Sequence, residues 1–272
     1  MKEKKDLLVG VIGLGSVGKA LEHVLSFYYG CVGFDIDGRG REDDLFSTYI
    51  NFVCVNTPSR EDGRLDCSHV DEVLERLDKG SYDGIVAVKS TVSVGYMDDA
   101  KRRHPNLRLT YFPEFLREKS TLQWTVNPDR IVGAGEPNDV SIVMNIFSWA
   151  ENAKRIITDF RTAEIGKLAH NAFIALKVTF TNEMERVSIE QHADPERVME
   201  IVWTDRRIAS SEHLRPYKGG YDGKCVPKDT SELIKVSRSQ LLDVLPLINS
   251  EVLSRRSASQ FQSEFHGEAE NR

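Results

Sequence analysis

The stretch "VGVIGLGSVGKA" does most to limit what this chain can fold into. It sets Gly13, Gly15 and Gly18 in a G-x-G-x-x-G spacing, behind an apolar run and ahead of a segment of helical pattern. Glycines so spaced allow a tight strand-to-helix turn and leave the first helical N–H groups open to an anionic ligand. Asp35 ends the next apolar run, twenty positions after Gly15, where a carboxylate would accept from ribose hydroxyls. The loop (Gly13, Gly15, Ser16, Val17, Gly18) and Asp35 therefore predict a dinucleotide site. The acid favours NAD over NADP, although Arg39 and Arg41 stand close enough to suit a ribose phosphate. A glycine turn with no ligand is the competing reading, and the strand, helix and acid around this one argue against it.

The rest of the first half follows the same rhythm. "CVGFDI", "INFVCVNT", "GIVAVKST", "LRLTYF", "DRIVGAG" and "AKRIIT" are apolar runs, several of them unbroken, as strands covered on both faces should be. Helical segments such as "SVGKALEHVLSFYY" and "PNDVSIVMNIFSWAEN" separate them. This predicts an α/β fold, a Rossmann-like, doubly wound and mostly parallel sheet, over residues 1–160. From Thr162 the pattern turns helical, with Thr162 as its cap, Asp194–Pro195 opening a further helix and Asp229 capping another. Residues 161–272 are predicted to form an all-helical domain ending in a frayed polar tail.

Composition excludes several functions. Of 272 residues 29% are charged and the formal net charge is −6, which argues against a nucleic-acid or anionic-membrane surface. No apolar stretch approaches a membrane span, and "MKEKKDLLVG" lacks the apolar run of a signal peptide. The four cysteines show no CxxC spacing and the seven histidines no HxxxH spacing, so no metal site is expected. Reduced thiols and a cytoplasmic location fit best.

One of those thiols stands apart. Cys225 lies in "YKGGYDGKCVPKD", among glycines and between Lys224 and Lys228. Such a loop suits an accessible nucleophile whose pKa the ammonium groups would lower, and a small buried thiol is the alternative. Lys167 and Asn171, four apart in the apolar "LAHNAFIAL" context, share a helix face. Glu114 and Glu118 in "FPEFLREK" are also four apart, and two exposed acids on a short helix is their plainer reading. Thr91 and the Thr57–Pro58 pair fall at strand ends, where a sheet of this kind opens its ligand crevice.

Taken together, "VGVIGLGSVGKAL", "FVCVNTP", "VKSTVSVG", "FPEFLREK", "NPDRIVGAG", "TAEIGKLAHNAFIALKVTFTNEM", "TDRRI" and "GYDGKCVPKD" resemble, in order, the UDP-glucose/GDP-mannose dehydrogenase family. The resemblance implies NAD-dependent oxidation of a nucleotide sugar's primary alcohol to a carboxylate, with UDP-glucose the favoured substrate and polysaccharide biosynthesis the setting. It implies that Cys225 is the nucleophile of the second oxidation, through a thiohemiacetal and a thioester. Lys167 and Asn171 would stabilise oxyanions, and Asp229 would organise the attacking water. Glu118 would act as hydrolytic base, Glu114 would organise the site, and Thr91 would sit by the nicotinamide. Lys228 joins the cofactor residues, while Phe115, Leu116, Arg207, Tyr221 and Gly223 are implied for the sugar nucleotide. Arg207 would reach a partner subunit's substrate, which implies a homodimer packed through the long helices.

Departures from the family pattern are also visible. The chain is expected to be a short form without the family's C-terminal nucleotide-binding domain. Gly38 to Tyr49 is too short for the strand–helix unit that the family inserts there. Asp222, Lys224, Phe112 and Lys119 replace the family's usual residues. Two other functions stay open: a non-catalytic NAD-binding module or partial subunit of a split dehydrogenase, and a one-step hydroxy-acid dehydrogenase needing no cysteine.

Overall fold

Runs such as "INFV" and "IVAV" have no polar face, so they fold where both faces are covered, and every residue of these two strands is buried. In a computed structural model, which describes residues 7–206, 208, 213, 218–237 and 240–267, seven such runs form one sheet. The strands are β1 (Leu8–Ile12), β2 (Gly30–Phe34), β3 (Ile50–Val53), β4 (Ile85–Val88), β5 (Arg108–Tyr111), β6 (Arg130–Gly135) and β7 (Lys154–Thr158). Their order is β2-β1-β3-β4-β5-β6-β7, and only the β5–β6 pair is antiparallel. Helices α1 (Ser16–Leu25), α2 (Glu42–Leu45), α3 (Ser68–Lys79), α4 (Tyr96–Arg103), α5 (Thr121–Val126) and α6 (Pro137–Ile146) fill the connections. The fold is the predicted doubly wound α/β sheet.

The chain order reverses between β1 and β3, which flank one another while β2 lies on the far side of β1. That switch point is where sheets of this type open a ligand crevice at the carboxyl ends of their strands. The segment from Gly38 to Tyr49 contributes only the one-turn α2, so β2 is left as the sheet edge and each of its residues is half-buried. Beneath the switch point Val9, Val11, Ile50, Phe52, Ile85 and Phe147 share one core with Leu21 and Leu25 of α1. Burying such side chains is worth about 1.5–3 kcal/mol each, which fixes the strand ends that carry the polar residues.

The chain divides into two compact units, Met1–Lys167 and Leu168–Arg272. The helix α7 (Phe160–Glu190) begins in the first and runs on into the second, which also holds α8 (Pro195–Thr204), α9 (Cys225–Ser237) and α10 (Gln240–Gly267). The second half is thus helical, as predicted. Within it Ala175, Tyr221 and Leu245 form a small buried cluster with Leu176, Val178, Val226 and Leu242. The rest of the polar tail lies outside the described residues.

Two caps differ from their expectation. Thr162 does not cap α7. Asp159 does, accepting from Thr162 N–H at 2.9 Å and its hydroxyl at 2.6 Å, because the helix starts earlier than the apolar pattern shows. Asp229 lies inside α9, not ahead of it, since the helix begins at Cys225. Asp194 is the cap of α8 as expected, accepting from the N–H groups of Glu196 and Arg197.

Candidate active site

The glycine turn after β1 is closed by contacts that tolerate no side chain. Gly13 has φ +88°, and a Cβ there would meet the Cys54 carbonyl at 2.8 Å. A Cβ on Gly18 would stand 1.9 Å from the Gly13 carbonyl oxygen, so these two glycines let α1 start directly against the strand. Gly15 faces open space, and α1 has neither a side-chain cap nor an acid in its first turn. Its first N–H groups are therefore available to a pyrophosphate, and the cradle fits one. Asp35 follows β2 and accepts from Leu14 N–H through Oδ2 at 2.6 Å, which ties the acid to the loop. Arg39 reaches the same oxygen at 3.3 Å and donates to the Leu14 carbonyl at 3.0 Å. Asp35 Oδ1 accepts from Asp37 N–H at 3.3 Å and keeps a lone pair for a ribose hydroxyl.

At the neighbouring strand ends, Thr57 Oγ1 donates to the Thr91 carbonyl at 2.7 Å, with both threonines buried. Ser90 Oγ donates to the Val55 carbonyl at 2.7 Å, so the loops after β3 and β4 are joined twice. The segment after β5 carries a buried charge cluster. Lys167 Nζ lies 3.3 Å from Glu114 Oε1, and Glu114 Oε2 accepts from Leu116 N–H at 2.6 Å. Burial pushes the Glu114 carboxyl up, but Lys167, the Leu116 N–H and Lys89 together outweigh it and hold the group below the usual carboxylate range. Phe115 lies beneath two cations, the Arg130 guanidinium 4.1 Å and the Lys167 ammonium 5.4 Å from its ring centre. Lys89 at the end of β4 donates to the Phe112 carbonyl at 3.1 Å, and burial pushes its ammonium below the ordinary lysine range.

In the second unit the polar cluster lies at the start of α9. Asp229 is fully buried; its Oδ2 accepts from Asn171 Nδ2 at 2.6 Å and its Oδ1 from Lys228 Nζ at 2.6 Å. A carboxylate so placed holds the Asn171 amide in one orientation and pairs with the Lys228 ammonium. Cys225 is the first residue of the same helix, half-buried and a thiol rather than half of a disulfide. The Lys228 ammonium is directed to Asp229, and Lys224 is exposed. No group of acids, histidines and cysteines able to hold a metal ion occurs among the described residues.

Known proteins share this arrangement of sequence. Residues 41–151 match the family model described as the UDP-glucose/GDP-mannose dehydrogenase family, NAD binding domain, and residues 161–252 match the central domain of that family. The chain belongs to the UDP-glucose/GDP-mannose dehydrogenase family. It is 33% identical over 205 residues to a UDP-glucose 6-dehydrogenase of Bacillus subtilis (strain 168), covering 72% of this chain and 46% of the relative. A UDP-glucose 6-dehydrogenase of Pseudomonas aeruginosa is 33% identical over 215 residues, covering 74% of this chain and 47% of its own. The chain thus spans about half the length of the curated relatives it matches. A solved UDP-glucose dehydrogenase from Pyrobaculum islandicum superposes with a TM-score of 0.82 at 26% identity, over 98% of this chain and 73% of that one. The UDP-D-ManNAc dehydrogenase of Pyrococcus horikoshii, 19% identical, shares the fold at a TM-score of 0.83 over 96% of this chain and 72% of its own.

The glycine loop precedes the matched NAD-binding stretch, so its assignment rests on the geometry of Gly13, Gly15, Gly18 and Asp35. Within the stretch matched to the family's NAD binding domain Thr57 and Thr91 meet, and Glu114, with Phe115 and Leu116 adjoining, pairs with Lys167 of the stretch matched to the central domain. Within the central domain Asn171, Asp229 and Lys228 meet, Tyr221 is buried, and Gly223 is exposed. Arg207 lies outside the described residues, as does the side chain of Glu118, whose backbone lies in a short 3-10 turn. Sequence reasoning missed Lys89, Arg130 and Asn249. Lys89 and Arg130 did fall within quoted motifs, "VKSTVSVG" and "NPDRIVGAG", but a lysine at a strand end ordinarily turns to solvent.

Proposed function

We propose that this chain catalyses the NAD-dependent oxidation of the primary alcohol of a nucleotide sugar to the carboxylate, with UDP-glucose the favoured substrate. The observation that carries the reading is the buried cluster in which Asn171 of α7 and Lys228 both bond to Asp229, in the first turns of the helix that opens at Cys225. A fully buried carboxylate costs folding free energy unless paired, and this one holds an amide and an ammonium about one helical turn from Cys225. The sugar is named from relatives at 33% identity that are called UDP-glucose 6-dehydrogenases.

NAD, held by the Gly13–Gly18 loop and Asp35, would supply the hydride acceptor, a fresh molecule for each of the two oxidations. The alcohol loses its proton to solvent and a hydride to give an aldehyde, and Lys167, paired with Glu114, stabilises the developing alkoxide. The Cys225 thiolate adds to the aldehyde carbon, forming a C–S bond and an oxyanion that Lys167 and Asn171 stabilise. Loss of a second hydride from that carbon leaves a thioester. Water oriented by Asp229, with Glu118 taking its proton, cleaves the C–S bond, releasing carboxylate and thiolate.

A homodimer through the helices belongs to the same proposal. Phe173, Phe180 and Val187 recur every seven residues along α7 and stay 61%, 43% and 38% exposed, a stripe that a second copy would cover. No described helix is long and apolar enough to cross a membrane. The proposal sets the reaction in the cytoplasm, where four thiols stay reduced. The test is NAD reduction with UDP-glucose, UDP-N-acetylglucosamine, UDP-N-acetylmannosamine and GDP-mannose in parallel. Turnover with one of them supports the reading, and NAD binding without turnover on any of them replaces it with a partial subunit or regulatory module.

A further inference from the structure

The loop before Cys225 is rich in glycine and is held at one residue by α10. Gly219 and Gly223 adopt positive φ (78° and 79°) on either side of Tyr221, so local backbone preference alone leaves this stretch many conformations. Tyr221 N–H donates to Asn249 Oδ1 at 2.8 Å, and Asn249 Nδ2 donates to the Tyr221 carbonyl at 2.9 Å. A side-chain amide thus pairs with one residue's main chain as an adjacent strand would. Both residues are buried, so water does not compete for these bonds. Gly220 completes the fit, because a Cβ there would stand 2.5 Å from Asn249 Oδ1. Asp222, Gly223 and Lys224 are exposed, which concentrates the burial that holds the loop at Tyr221.

We infer that Asn249 is the positioning residue for Cys225: by clamping the Tyr221 peptide onto α10 it fixes where the chain enters α9 four residues later. The inference deepens the proposed function and rests on it only for the thiol's part in turnover. Asn249 acts through the loop, by its two bonds to the Tyr221 main chain.

The test is alkylation of each thiol by iodoacetamide across pH, followed peptide by peptide in the wild type, Asn249→Asp and Gly220→Ala, together with exchange of the Tyr221 amide in the wild type. Asn249→Asp keeps the size but turns a carboxylate oxygen towards the Tyr221 carbonyl. Cys31 and Cys54, whose thiols burial pushes up to about 12, serve with Cys67 as internal references in the first unit. The expected result is a change of roughly tenfold in the Cys225 rate, with a shifted pH midpoint, while the reference thiols keep theirs. In the wild type the Tyr221 amide should exchange roughly a hundredfold more slowly than an unprotected one. Cys225 reacting at the wild-type rate and pH midpoint in both folded variants would overturn the inference. So would unprotected exchange at Tyr221, a result that needs no variant to fold. Neither readout uses NAD or a sugar, so a chain without dehydrogenase activity would remove the proposed function and leave this inference standing.

Discussion

The Asn171 amide donates to Asp229 Oδ2 at 2.6 Å, and Asp229 has no exposure to solvent. That bond fixes which end of the Asn171 amide is turned towards the acid, and leaves its oxygen end to other partners, with His170 Nδ1 at 3.1 Å. Removing the charge while keeping the shape, Asp229→Asn, deprives the Lys228 ammonium of its carboxylate. The expected loss of stability is about 1–3 kcal/mol, read by calorimetry. Turnover should fall roughly 100- to 1,000-fold as water loses its orienting acid, and unchanged turnover would exclude that role for Asp229.

The Lys167–Glu114 pair makes a related prediction in the first unit. Lys167→Met strips Glu114 of the cation that most strongly holds its carboxyl down, so the buried acid should take up a proton at higher pH than in the wild type. Turnover should drop by roughly 100-fold or more, in line with the loss of one oxyanion-stabilising group. The change in Glu114 titration, followed by carboxyl infrared absorption, separates this effect from general unfolding.

Gly18→Ala tests the cradle. The added methyl would meet the Gly13 carbonyl oxygen at 1.9 Å, so the turn must open or the helix shift. Overpacking of this kind costs about 1–3 kcal/mol, and NAD affinity measured by calorimetry should weaken by at least roughly tenfold. Retained affinity would move the dinucleotide away from this loop.

Glu164 supplies a pH prediction. Its Oε2 accepts from Gly95 N–H at 2.6 Å and its Oε1 from Met97 N–H at 2.8 Å, capping α4. Burial pushes the carboxyl up to about 7, only partly opposed by those two N–H donors. A folded-state pKa above the unfolded value of 4.5 means that the folded chain holds the proton more tightly. The resulting stabilisation is full below about pH 4.5 and is lost as pH rises through about 7. Thermal midpoints should therefore fall between those values more steeply in the wild type than in Glu164→Gln, and parallel curves would refute the assignment.

Much of this was legible in the sequence because the constraint was local. Gly13, Gly18 and Asp35 announce the turn through spacing alone, and the unbroken apolar runs at β3 and β4 announce strands covered on both faces. Asn171 and Asp229 were legible as residues but not as a bonded pair, since 58 positions separate them. The Thr162 cap was misplaced because the true cap, Asp159, directly follows the strand β7 and carries no helical pattern of its own. Asn249 gave no signal: its partner is a peptide 28 positions away, and an asparagine in a helix ordinarily faces water. Lys89 looks like a solvated strand end until the fold encloses it against Phe112 and Phe147.

In the proposed route Cys225 carries the second oxidation. The most direct measurement is the NADH formed per molecule of UDP-glucose consumed, in the wild type and in Cys225→Ala. Two NADH per sugar are expected for the wild type, a four-electron oxidation to the carboxylate, with that stoichiometry lost in the variant. One NADH per sugar in the wild type, or two in Cys225→Ala, would contradict that route.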